Sequence, residues 1–322
     1  MKRLLYFIFV LTTFLALSEL SAQEDARSLR YKGALAKERT IQRILSMGDT
    51  EPSLSSNYDV IYYKLDLEPK PYLELLYGTV TMRAKVVSDE LDLVELYLSN
   101  PMEVTSVKQN NSDLEYTHEN NLLRITTDST YNKNEIFEVT IDYYGRPQAT
   151  GFGSLNFHWY DSQPMVWTLS EPYGARDWWP CKDYPVDKAD SVDILVTVPD
   201  DLIVASNGLL EEKRQLPDNK VQFVWHERYP ITTYLVSLAI HPYTQYSEWY
   251  ISLDKKPMEI QYYVFPDQYN FWQRHYSKTP RMIEIFAQLY GEYPFIEEKY
   301  GHANCLFGGG MEHQTITSLI SS

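Results

Sequence analysis

Two stretches of this chain carry side chains whose types and spacing could do chemistry. The first is Gly308-Gly309-Gly310-Met311-Glu312-His313-Gln314-Thr315. Three glycines in a row remove side chains so that another backbone can come close. The apolar alternation from Thr315 to Ile320 reads as a strand. Glu312 is a lone acid between the two features. Such a stretch suits an extended ligand paired along a strand edge and held through a positive group. Read alone, it suits better a glycine bulge or loop entering an ordinary core strand. The second stretch runs from Thr168 to Pro185 and holds Glu171, Arg176, Asp177, Trp178, Trp179 and Asp183. Most of it reads as a long ordered loop, pinned by Arg176 to an aspartate and stapled by the paired tryptophans. Glu171 stands apart. It precedes Pro172, which disfavours the helical region and predicts an extended, outward-facing residue.

The elements that must position these residues follow from periodicity. Lys2 and Arg3 precede an apolar run from Leu4 to Leu17, and Ser21-Ala22 offers a small residue at a cut before Gln23. Residues 1–22 therefore read as a secretory signal peptide, and the protein as exported, to periplasm, cell surface or medium. No later run is long enough to span a membrane as a helix. Residues 23–56 read as a charged, mostly helical N-terminal arm, with Leu35, Ile41, Ile44 and Leu45 on its apolar side.

From residue 57 to 246 the period is two. Val80, Met82, Ala84 and Val86 alternate with polar residues, as do Phe137, Val139, Ile141 and Tyr143, and Val192, Ile194, Val196 and Val198. Polar turns such as Asn110-Asn111-Ser112-Asp113 and Ser206-Asn207-Gly208 separate the runs. The pattern predicts half-buried antiparallel strands in one large sandwich- or saddle-type domain. Residues 247–322 change character. After a strand from Met258 to Phe265, Thr279 and Pro280 open a helix with Met282, Ile285, Phe286 and Leu289 on one face, and Gly291 stops it. This reads as the beginning of an α/β domain.

The chain's net charge of −15 argues against a protein that tracks nucleic-acid phosphates. Aromatic residues make up 14% of it, including 27 tyrosines, which favours β-structure over helix. Cys181 and Cys305 are the two cysteines. Export permits a disulfide between them, but spacing cannot decide between a bridge and two buried thiols.

Taken together, the two stretches resemble a known family. Glu171-Pro172-x-x-Ala175-Arg176-x-x-Trp179-Pro180-Cys181-x-Asp183-x-Pro185, followed by Lys188-Ala189, is similar to a loop of the N-terminal β-saddle domain in zinc aminopeptidases of the membrane alanyl aminopeptidase and leukotriene A hydrolase type. Gly309-Gly310-Met311-Glu312 is similar to their Gly-x-Met-Glu-Asn motif. Ile231 to Val236 looks like the closing strand of the saddle.

The resemblance implies a mainly β chain: an antiparallel saddle, then the incomplete start of a thermolysin-like α/β domain. It implies removal of N-terminal residues from peptides, with zinc as cofactor and peptides bearing a free N-terminus as partners. Glu171 and Glu312 would close on the α-ammonium with charge-assisted hydrogen bonds that an internal peptide cannot make. The backbone at Gly309, Gly310 and Met311 would pair with the substrate. Two acids beside one cationic subsite repel when it is empty, which raises the pKa of one of them.

Three departures stand out. His313 replaces the motif's Asn and reads as a supporting neighbour rather than a catalytic group. Leu169 stands where many members have Gln. The third concerns the metal, which the family holds with His-Glu-x-x-His, two imidazoles on one helical face with a glutamate as general base. Here no two histidines are four apart: His118-Glu119 leads to Leu122, and His226-Glu227 to Pro230. The expectation is a chain with the recognition half of an aminopeptidase, with neither metal ligands nor catalytic residues, inactive alone. The alternative is a non-catalytic peptide-binding or scaffold protein of the same fold.

Overall fold

Alternating apolar residues become strands because each successive side chain points to the opposite face of a sheet. The computed structural model describes residues 55–148, 150 and 152–320, so the segment read as a signal peptide and nearly all of the N-terminal arm lie outside the described residues. The first eight strands are β1 (Tyr58–Lys70), β2 (Leu75–Val86), β3 (Glu90–Tyr97), β4 (Met102–Gln109), β5 (Ser112–Asp113), β6 (Tyr116–Glu119), β7 (Leu122–Asn132) and β8 (Ile136–Gly145). They are followed by β9 (Ser154–Tyr160), β10 (Gln163–Leu169), β11 (Ser191–Pro199), β12 (Ile203–Ser206), β13 (Leu209–Leu216), β14 (Lys220–Glu227) and β15 (Leu238–His241).

These strands form an eight-stranded sheet in the order β13-β14-β11-β1-β2-β8-β4-β5, a three-stranded sheet β3-β7-β6 and a four-stranded sheet β12-β15-β10-β9. The predicted alternation holds. Val80, Met82, Ala84 and Val86 of β2 and Phe137, Val139, Ile141 and Tyr143 of β8 are all buried in one core. Two-residue loops close several hairpins. Asn110-Asn111 joins β4 to β5 and Asn120-Asn121 joins β6 to β7, all four with positive φ. Asparagine tolerates that left-handed backbone, and the resulting twist matches the flanking strands. One pairing departs from the antiparallel expectation, since β1 and β11 run parallel at the centre of the large sheet.

The C-terminal part forms a mixed five-stranded sheet, β16 (Thr244–Ile251), β17 (Pro257–Val264), β18 (Lys299–Cys305), β20 (Thr317–Ile320) and β19 (Gly310–Met311), in that order. Helices α1 (Tyr269–Tyr276) and α2 (Thr279–Tyr290) cross between the parallel strands β17 and β18. A helical crossover is what a parallel pair requires. The main core continues into this part through Tyr263, Phe265, Cys305, Met311 and Ile316. The sheet changes at Thr244, three residues before residue 247.

Three local expectations are corrected here, and the open question of the two cysteines is answered. Ile231 to Val236 is not a strand: Ile231 makes one bridge to Ala189, and Thr233–Leu235 is a 3-10 turn. The strand read from Thr315 begins at Thr317, and it is flanked by β18 on one side and β19 on the other, so the sheet edge is β19. On α2 the residues at helical spacing face outward, with Phe286 56% and Leu289 67% exposed; Ala287 and Thr279 are the buried ones. Cys181 and Cys305 are both buried free thiols rather than a bridge.

Candidate functional site

The loop after β10 is built as its residue types dictate. Trp178 and Trp179 are fully buried, and the Trp178 indole donates to Ser170 Oγ at 3.0 Å. The guanidinium of Arg176 is also buried. Its Nε donates to Asp183 Oδ2 at 2.7 Å, Nη2 donates to the Asp183 carbonyl at 3.0 Å, and the Tyr97 ring lies 3.7 Å beneath it. A charge removed from water needs this degree of compensation. Asp183 also accepts from Thr233 Oγ1 at 2.9 Å, which ties the loop to the 3-10 turn. The anticipated Arg176–aspartate pin and tryptophan staple are thus both present.

Glu171 opens this loop. It lies in a turn rather than an extended segment, its bond to Pro172 is cis, and its side chain is exposed. Leu169, two residues earlier, is buried at the end of β10.

The second stretch forms the rim of the mixed sheet. Gly310 and Met311 pair with Leu319 and Ser318 of β20, leaving the other edge of β19 without a strand partner among the described residues. Gly308, Gly309 and Gly310 are exposed. Gly309 has φ +99°, a backbone that side-chain-bearing residues rarely adopt, and a Cβ there would meet nothing within 4 Å. The space beside Gly309 is open, whereas a Cβ on Gly310 would meet Leu319 Cδ2 at 2.9 Å. Met311 points inward, Glu312 outward and His313 inward. His313 is buried with Nδ1 2.9 Å from Ser318 Oγ, and burial pushes its pKa down to about 3, so it is a neutral imidazole.

The fold places Glu171 within electrostatic reach of Glu312, although 141 positions separate them in the chain. The Glu171 pKa is raised by partial burial and then by the Glu312 charge. The sequence reading missed Tyr234. It sits in the 3-10 turn, half-buried, and its phenol is held protonated by desolvation and by the charges of both Glu312 and Glu171. A protonated phenol beside two carboxylates is a hydrogen-bond donor to either. Two acids and one phenol in electrostatic reach of one another, beside a strand edge, have the chemistry to receive a cation and to pair with an extended backbone.

Zinc ligation does not fit the described residues. Each histidine is committed to a separate local environment. His118 contacts the Leu98 carbonyl, His226 contacts Asp193 at 2.5 Å and His241 contacts the Pro164 carbonyl. His158 stacks on Trp167, His275 contacts the Phe271 carbonyl, and His302 lies buried against Tyr262 and Tyr276. Among the described residues no group of three or more His, Cys, Asp or Glu is placed to hold a metal ion. No helix among them is long and apolar enough to cross a membrane.

Comparison with known proteins defines the class first. The fold is similar to that of two-domain M1 zinc metallopeptidases. The structure of the enzyme from Deinococcus radiodurans matches with a TM-score of 0.68 and 21% identity, covering 82% of this chain and 60% of that one. A mutant two-domain M1 metallopeptidase bound to L-tryptophan matches with a TM-score of 0.69 and 22% identity, with the same coverage. The family model described as the Peptidase M1 N-terminal domain matches residues 59–235. The chain therefore belongs to the M1 aminopeptidase family and represents its N-terminal portion. Human glutamyl aminopeptidase is 29% identical over 126 residues, which are 39% of this chain and 13% of that protein. Probable aminopeptidase 1 of Saccharolobus solfataricus is 30% identical over 159 residues, 49% of this chain and 19% of its own length. The chain thus spans less than a fifth of these curated relatives.

Proposed function

We propose that this chain is the peptide-N-terminus-recognition part of an exported zinc aminopeptidase, with residues 57–246 as its saddle and 247–322 as the start of the catalytic domain. Glu171 and Glu312 receive the α-ammonium, Tyr234 orients a carboxylate, and the backbone from Gly309 to Met311 pairs with the peptide as an added strand. His313 acts only as support from below. What supports the reading is the electrostatic coupling of Glu171 and Tyr234 to Glu312, the residue that follows the edge strand β19. Export rests on the apolar run from Leu4 to Leu17 behind Lys2 and Arg3.

The sequence favours one refinement. Without a His-Glu-x-x-His spacing in the sequence, and without a fitting ligand group among the described residues, the chain on this reading binds peptide ends but does not hydrolyse them. As a non-catalytic scaffold of the same fold it would bind the same partners.

The test is a titration of the chain with a short peptide and its N-acetylated twin. A charge-assisted hydrogen bond contributes about 1.5–3 kcal/mol, so the free amine is expected to bind about 10- to 100-fold more tightly. Glu312→Gln should collapse the ratio. Equal affinities for the two peptides with the unmodified chain would remove the proposal.

A further inference from the structure

Thr315 is a β-branched residue with φ +63°, a backbone region in which such side chains are rare and strained. It is the third residue of the turn His313–Ile316, closed by the Ile316 amide donating to the His313 carbonyl at 3.2 Å. Glycine or asparagine is the usual occupant of a turn position with positive φ. What a glycine would lack is the hydroxyl, and here it has three partners. Thr315 Oγ1 accepts from the Gly208 amide at 2.8 Å and from Lys299 Nζ at 3.3 Å, and donates to Glu227 Oε2 at 3.3 Å. One donor and two acceptor sites are a hydroxyl's full capacity.

The partners are themselves buried and come from the β-saddle and from β18. Lys299 is fully buried, donates to the Ser206 carbonyl at 2.9 Å and lies over the Trp225 ring. Glu227 also accepts from the Tyr229 amide at 3.1 Å, and Glu298 accepts from the Arg228 amide at 2.9 Å. Beside Thr315, the Gln314 carbonyl accepts from Asn207 Nδ2 at 2.6 Å. Gly208 has φ +70°, and a Cβ there would come within 2.0 Å of the His226 carbonyl, so the β12–β13 turn has one geometry.

We infer that Thr315 is a positioning residue: its hydroxyl latches the turn that follows Glu312 to the Asn207-Gly208 turn of the saddle, fixing Glu312, at the end of β19, relative to Glu171. The latch itself stands on geometry; its consequence for peptide binding rests on the function proposed above. Strain at residue 315 persists because the hydroxyl network holds it.

The experiment compares Thr315→Val, Thr315→Gly and Thr315→Ser in the full chain, by amide hydrogen exchange and by the binding ratio of free-amine to N-acetylated peptide. Exchange at Gly208 and across residues 310–317 is expected to accelerate about tenfold in the valine and glycine variants relative to reference amides in β2 and β8, and to stay unchanged in the serine variant. The glycine variant accepts the backbone angle without strain and keeps the test open if the valine variant fails to fold. The binding ratio should fall about tenfold with valine or glycine and be retained with serine. Unchanged exchange in the hydroxyl-free variants overturns the latch. Faster exchange with an undiminished ratio overturns its positioning role. A wild-type chain that does not discriminate the two peptides refutes the amine clamp instead, and the exchange data then still decide the latch.

Discussion

Replacing Asp183 with asparagine probes the framework that holds Glu171 in place. The Arg176 and Asp183 side chains are 6% and 0% exposed, with 2.7 Å between Nε and Oδ2. Asparagine keeps the shape but removes the charge, leaving a buried guanidinium without its counter-ion. Breaking one side of such a pair costs about 3–5 kcal/mol. Disturbing the Thr233 bond adds about 1 kcal/mol. A domain is stable by only about 5–15 kcal/mol, so the urea midpoint should fall sharply. Trp178 and Trp179, buried in the same loop, report the transition by fluorescence. The control is Glu138→Gln, which breaks the Arg83–Glu138 pair, 47% exposed on each side. That pair should be worth less than about 1 kcal/mol. If Asp183→Asn costs no more than the control, the loop is not held by its buried ion pair.

Other outcomes follow from burial. His302 and His313 are held neutral, with pKa values pushed down to about 4 and about 3 from an ordinary 6.5. Between pH 6.5 and those values the unfolded chain binds more protons than the folded one. Their contribution is therefore complete above pH 6.5 and is lost as pH falls towards 3, each histidine losing about 1.4 kcal/mol per pH unit across its own window. Urea midpoints measured from pH 7 to 4 should decline, and His302→Phe should flatten the decline; an unchanged slope would argue against a neutral buried imidazole. Burial raises the pKa of both thiols, so Cys181 and Cys305 should resist a thiol reagent until the chain unfolds, and rapid labelling of the native protein would contradict that.

Much of the saddle was legible because its signal is local. Val80, Met82, Ala84 and Val86 state their own strand and its inner face, and Pro280 and Gly291 bracket α2. The parallel pairing of β1 with β11 was not legible, since residues on a two-sided core strand read alike in either direction. The paired acids could be named from their motifs, but Tyr234 could not. Its stretch resembles the closing strand of the saddle, and only the bond from Thr233 to Asp183 shows why the chain turns there. The cluster around Thr315 is likewise invisible in sequence, because Thr315 reaches Glu227 and Gly208 across 88 and 107 positions. The outward apolar face of α2 shows the limit of periodicity. Spacing locates the helix and its stripe, not what the stripe packs against.

The central claim is that Glu171 and Glu312 together form a cation-receiving pair. Carbon-detected NMR titration of the Glu171 carboxyl tests it most directly, in the free chain and with each of the two peptides. In the free chain the midpoint should lie above the ordinary carboxylate value and fall back in Glu312→Gln, as the neighbouring charge is removed. The free-amine peptide should lower it further, because an ammonium favours the ionised acid, while the N-acetylated peptide should leave it in place. A Glu171 midpoint that responds to neither Glu312→Gln nor the free amine would contradict the account.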